Sequence, residues 1–287
     1  MIRLLYIIIG LGALSLWSGL LHAQHAYFPL KGRITFEKEV YVRARLREMS
    51  NRSANQNRGM MMRFGGNIDE APEKTSSMFS LHFDEDETLM TALENEETTG
   101  SSRIGMSPGR GGRPNSRNMG NTVRRGVGRN QNKTYYQNLK KGETELELEL
   151  DEKYLLRDSL QQITWRFTDE YRDIAGYECR RVNGATPDSL YIVAFYTDQI
   201  PVSGGPALVH GLPGMILGLA IPEMHINYWA RKVDFVTDNV PSTWRDKKSK
   251  AISTQDFFNS LGNNRMFGGG GGNARQMRRN LLENLIY

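Results

Sequence analysis

From Ile34 to Leu46 the chain alternates: Ile34, Phe36, Val40, Val42, Ala44 and Leu46 share one parity, interrupted only by Lys38. The other parity carries Arg33, Thr35, Glu37, Glu39, Tyr41, Arg43, Arg45 and Arg47. A period of two with one apolar and one charged face predicts a long antiparallel strand, half buried and half wet. Phe79, Leu81 and Phe83 alternate with Ser80, His82 and Asp84, and Leu146, Leu148 and Leu150 with Glu145, Glu147 and Glu149. In the second case the period outweighs the helix propensity of Leu and Glu. Residues 163–167 and 177–182 alternate around the turn-like Asp173-Ile174-Ala175-Gly176 and read as a pair of neighbouring strands. Leu190–Tyr196 is apolar throughout, as a strand covered on both faces would be, and Met215–Ile221 and His225–Phe235 follow as two more.

Seven or eight such strands with few helical stretches predict a mainly β protein, a single curved antiparallel sheet forming an open half-barrel or a sandwich-like fold. The β domain falls on residues 24–49 and 134–262, with a strand near 78–84. Residues 50–77 and 85–133 are polar and rich in Gly, Asn and Ser, which predicts disordered insertions. The tail, 263–287, opens on the run Gly268–Gly272. After it, Met277, Leu281, Leu282, Leu285 and Ile286 share a helical face near Arg275, Arg278 and Arg279, so a short amphipathic helix and a frayed end are both consistent.

Composition sharpens this picture in two ways. The 287 residues hold 37 Lys+Arg against 32 Asp+Glu, a net +5 too modest to point to a nucleic-acid partner. That average hides two blocks: ten acids and one Lys in 69–97, then seven Arg and Lys133 with no acid in 103–133. Their mutual attraction is screened beyond about 8 Å at physiological salt.

Arg3, the uncharged run Leu4–Leu21 and the small residue Ala23 make a secretory signal cleaved near Ala23, and hence a periplasmic or secreted protein with no transmembrane span once the signal is removed. The competing reading of the same run is a membrane anchor. Cys179 is the one cysteine, so an exported chain must stabilise itself by burial and not by disulfides.

Residues 211–216, Gly-Leu-Pro-Gly-Met-Ile, resemble the signature hexapeptide of the GLPGLI family, exported proteins of Bacteroidota. The resemblance extends to the Ile-Thr-Phe-Glu-Lys strand at 34–38, Trp165, residues 174–179, Phe195-Tyr196-Thr197, Ile200-Pro201 and Gly205-Pro206. Met215 stands in place of the family's Leu, a volume-conserving change. The resemblance implies an exported, mainly β protein of unassigned biochemical role and supplies no catalytic residues. Leu212-Pro213-Gly214-Met215 suits a type II turn with positive φ at Gly214. The loop, with Gly204, Gly205, Pro206, His210, Gly211, Leu212, Pro213, Gly214, Met215 and Ile216, reads as a rigid closure of the sheet, as a surface recognised by a partner, or as a ligand loop.

Chemistry is sparse. His210 and His225 flank the signature loop and the next strand, and with His82 they are candidate metal ligands. Eight of the thirteen Met fall in or beside the polar region, among them Met60, Met61 and Met62, soft ligands that suit copper as Cu(I); compositional drift explains the same count. Pro108–Arg113 is similar to Arg/Gly segments that bind RNA, although in an exported chain an acidic surface is the better target. No nucleophile elbow, phosphate loop or CxxC is present. The expectation is therefore a non-enzymatic cell-envelope protein that presents the loop to an envelope or outer-membrane partner. The alternative is a small-ligand or copper binder, or an enzyme, that uses a cavity in the sheet.

Overall fold

A computed structural model of the chain describes residues 28–48, 68–93, 133–149, 152–187 and 189–262. Twelve strands form one sheet: β1 (Gly32–Val40), β2 (Thr75–Phe83), β3 (Glu87–Ala92), β4 (Thr134–Asn138), β5 (Glu143–Glu149), β6 (Lys153–Ser159), β7 (Thr164–Ile174), β8 (Tyr177–Ala185), β9 (Tyr191–Thr197), β10 (Met215–Ile221), β11 (Ile226–Phe235) and β12 (Lys250–Ser253). The order is β12-β6-β5-β4-β3-β2-β1-β11-β10-β9-β8-β7, with β7 and β12 as edges, so the sheet is not closed into a barrel. Neighbours are antiparallel except β12 beside β6, which run parallel and make the sheet mixed where a wholly antiparallel one was expected.

The predicted mainly β fold with an open sheet is what forms. The first strand is shorter than its alternation suggested. It ends at Val40, Tyr41 N donates to the His225 carbonyl, and residues 42–48 are helical (α1). The stretch Val-Arg-Ala-Arg-Leu-Arg-Glu satisfies period two by its charges, yet Val42 and Leu46 also lie one helical turn apart and Ala, Arg, Leu and Glu are strong helix formers. A second short helix, α2 (Thr254–Gly262), is seated by Phe257, whose ring meets Tyr154 edge-on at 5.1 Å. Among the described residues no helix is long and apolar enough to cross a membrane.

β3 falls inside the segment 85–133 whose composition predicted an insertion, and the segment 50–77 contributes a 3-10 turn (Ile68–Glu70) and the start of β2. β3, β4, β6 and β12 escaped the pattern because they do not alternate, and β3, β4 and β12 are also short. In β4 Tyr135 and Tyr136 are both buried, one toward each face, as are Leu89 and Met90 in β3. The expected extension of the third alternating strand to Leu150, the C-terminal helix and the signal segment lie outside the described residues.

One face of the sheet carries the main core, with Ile34 and Phe36 of β1, Leu81 of β2, Met90 of β3, Tyr135 of β4, Leu146 and Leu148 of β5 and Tyr228 of β11. We call it the inner face. On the opposite face a smaller cluster of Leu89, Tyr136 and Val240 is covered by Trp244. At the other end of the sheet the β7–β8 hairpin tip folds over the outer face. Gly218 of β10 allows this, since a Cβ there would stand 2.9 Å from Ile174 Cδ1 and 2.7 Å from the Trp229 ring. β10 is thus buried on both faces.

Candidate functional site

The segment joining β9 to β10 lies on the inner face. Gly204 would place a Cβ 2.7 Å from Thr88 of β3, the Ala207 N–H points at Met90 Sδ at 3.5 Å, and the Trp165 indole N–H donates to the His210 carbonyl at 3.2 Å. In sheet order β10 and β3 are separated by β11, β1 and β2, roughly 19 Å along a flat sheet. A single loop that touches both is accommodated by strong curling, and it fills the concavity. Backbone bonds fix it to its own strand: Met215 N–H to the Ile200 carbonyl and Ile216 N–H to the Gly204 carbonyl, each 2.9 Å.

Gly204, Gly205, Pro206, Leu212, Gly214, Met215 and Ile216 are buried, His210 is half-buried, and only Gly211 and Pro213 of the ten loop candidates are exposed. The type II turn does not form. Positive φ falls at Gly211 (+93°) and at the non-glycine pair Ala207 (52°) and Leu208 (66°), not at Gly214. Gly214 is needed for a different reason, because a Cβ there would come 2.1 Å from the Thr197 carbonyl oxygen. Two successive left-handed non-glycine residues carry backbone strain, and surrounding packing must hold them.

The three histidines are not gathered. His82 sits beside Arg33 of β1, while His225 adjoins Ile226, the partner of Val40 seven positions along the same strand, or about 23 Å away. His82 Nε2 lies 3.2 Å from the Asp238 carbonyl and His225 Nε2 2.6 Å from a Glu48 carboxylate oxygen. His210 has its Nε2 buried without a hydrogen bond to any described residue, and burial lowers its pKa, which favours the neutral ring. Among the described residues no three His, Cys, Asp or Glu side chains are placed to hold a metal ion. Met60, Met61 and Met62 lie outside the described residues. Cys179 is fully buried in the core, and burial pushes its thiol up to about 12, which makes it a small hydrophobe at neutral pH.

A cleft that the pattern did not announce opens on the outer face, where the β7–β8 tip meets β1 and β11. Its volume is about 470 Å³, and its lining includes Glu39, Tyr41, Arg172, Asp173, Asn227, Trp229 and Arg231. Alternation along β11 sends Asn227, Trp229 and Arg231 to this face and Tyr228 and Ala230 to the core. The Arg172 guanidinium lies 4.6 Å from the Trp229 ring centre and 6.0 Å from that of Phe195. It has these ring contacts and no ion pair among the described residues. Its neighbours are paired: Arg231 with Glu37 at 2.5 Å and Lys74 with Glu39 at 2.6 Å. A hydrogen bond from Ser76, and then Arg231, hold the Glu37 carboxyl below its ordinary range against the opposing effect of burial. The single clue in the sequence was a tryptophan on the wet parity of β11. Arg172 gave none, since its place over Trp229 depends on how far the hairpin tip folds back.

A family model described as a protein of unknown function (Porph_ging) matches residues 182–218. That stretch is the end of β8, all of β9, the buried loop and the start of β10, and it contains the hexapeptide at 211–216. No curated protein matches the chain. Among solved structures, PNGF-II in space group C2 is similar at a TM-score of 0.48 and 13% identity over 81% of this chain, and PNGF-II in space group P21 at 0.46 and 12% over 82%. In each case the match takes in 33% of the other chain, so this chain spans about a third of its length.

Proposed function

We propose that the chain is an exported, non-enzymatic binding protein of the GLPGLI-type family that takes a hydroxyl-rich, saccharide-class ligand in the outer cleft. The hexapeptide loop then serves as scaffold. The observation that carries this reading is Arg172, a guanidinium laid on Trp229 at the cleft wall with no carboxylate partner among the described residues. Arg172, Arg231 and Asn227 supply donors, and Asp173, Glu39 and Asn227 supply acceptors, a mixture that suits hydroxyl groups able to do both. The loop's burial supports the scaffold role and gives a partner little of it to touch.

Calorimetric titration of the purified chain with neutral and acidic saccharides tests this reading. One class should bind, and Arg172→Ala or Asn227→Ala should weaken it at least tenfold with the melting temperature unchanged. Absence of binding by every class, or full affinity in both variants, would refute it. Export is tested separately by fractionating host cells that express the chain with and without residues 1–23.

A second reading keeps an envelope partner and moves its contact to the edge strand β7, where Phe167 is 48% and Tyr171 57% exposed. An edge strand with exposed aromatic rings can accept another strand. Three residues there, Thr168 to Glu170, bulge against Arg181 and blunt that edge.

A further inference from the structure

Phe195 and Trp229 form a platform in the wall of the outer cleft, with ring centres 5.8 Å apart and Gly218 leaving room beneath the indole. The Arg172 guanidinium lies over both rings, 4.6 Å from the Trp229 centre and 6.0 Å from that of Phe195. Rings attract the charge but offer no lone pairs, so the five N–H donors keep their capacity. Among the described residues no carboxylate, carbonyl or hydroxyl takes one of them. The other charges around the cleft are placed differently. Arg231 is held by Glu37 at 2.5 Å and Glu39 by Lys74 at 2.6 Å, so these two pairs neutralise themselves. Arg172 and its chain neighbour Asp173 both line the cleft, and no ion pair joins them.

We propose that the cleft selects acidic saccharides, with the sugar carboxylate received by paired N–H donors of Arg172. This rests on the saccharide reading of the cleft and names the class of sugar. A carboxylate matches the guanidinium fork, two acceptors to two donors, and the platform orients that fork before the ligand arrives. One negative charge also answers the one cation of the lining that has no carboxylate partner among the described residues. A dianion suits the cleft less well, because its second charge would be set against Asp173 and Glu39 in the same lining. Those carboxylates and the Asn227 carbonyl oxygen accept from sugar hydroxyls instead.

The test is calorimetric titration of the purified chain with digalacturonic acid, cellobiouronic acid and sialyllactose, each beside its own methyl ester, and with cellobiose and lactose as neutral sugars. Esterification keeps every hydroxyl and removes the charge. At least one acid should bind tenfold or more tightly than its ester, and the preference should shrink as salt is raised, since the guanidinium is open to water. Arg172→Gln should bring acid and ester to equal affinity with the melting temperature unchanged. Arg172→Lys, which keeps the charge and loses the fork, should recover only part of the preference. Equal binding of acid and ester by the parent would overturn the proposal, as would an undiminished preference in either variant. Binding of neutral sugars alone overturns it and leaves the saccharide reading of the cleft standing. Binding of no sugar, whether acid, ester or neutral, refutes both.

Discussion

The two ends of the inner face are built on opposite principles. At one, the β9–β10 loop lies buried among Thr88, Met90 and Ile216, neutral and fixed by backbone bonds. At the other, Lys38 and Lys133 set ammonium groups where burial acts against their charge. Close packing leaves the first end no freedom to change, whereas at the second burial disfavours the charged form of two lysines. The segment matched by the family model, residues 182–218, belongs to the packed end.

The largest effect expected from this contrast comes from Gly214→Ala. Its Cβ meets a backbone oxygen that cannot swing away, and equilibrium denaturation should show a loss of about 3 kcal/mol or more, or no folding. Retained stability would mean that the loop is not wedged as described. Met90→Ala removes the side chain under Ala207 and should cost about 2–5 kcal/mol. Trp165→Phe loses the hydrogen bond to the His210 carbonyl and part of the indole packing against Gly184 and Gly211, about 1–3 kcal/mol by the same measurement.

At the cationic end the sign is reversed. Both lysines have folded values below the ordinary 10.5, so between about 7 or 8 and 10.5 the unfolded chain binds more protons and stability rises with pH. The contribution is complete above 10.5 and is lost as pH falls through the folded values. Cys179, raised from 9.0 to about 12, acts oppositely above pH 9, so the lysine slope is read between pH 7 and 9. Lys133→Met should flatten it. The smallest effect belongs to the outer cleft, where Arg172→Ala should change stability by less than about 0.5 kcal/mol, because the side chain is exposed.

Legibility followed burial. Strands with one wet face, such as Thr75–Phe83 and Glu143–Glu149, were readable because water and core select alternate residues. Where both faces are covered the alternation vanishes, and Thr88, Gln137 and Asn138 are buried polar residues that no apolar count would find. Thr88 is satisfied by Gln137 at 3.1 Å and Asn138 by Glu87 at 2.7 Å, partners 49 and 51 residues away in the chain. The loop was recognisable as special from its glycines and prolines. Its burial was not, since Gly and Pro favour an exposed turn as readily as a buried wedge.

What the sequence determined by itself was local: a mainly β chain, the inner and outer parity of its longer strands, the odd lysine at 38 and the cluster of glycines and prolines before β10. Side-chain direction repeats every two residues, so such facts need no knowledge of the neighbours. Tertiary structure decided the rest. Pairing of β1 with β11 joins residues about 195 positions apart, and the curling of the sheet brings one loop against β3 and places Lys133 near Lys38. Those encounters depend on strand order and curvature, which are properties of the whole sheet and of no single segment.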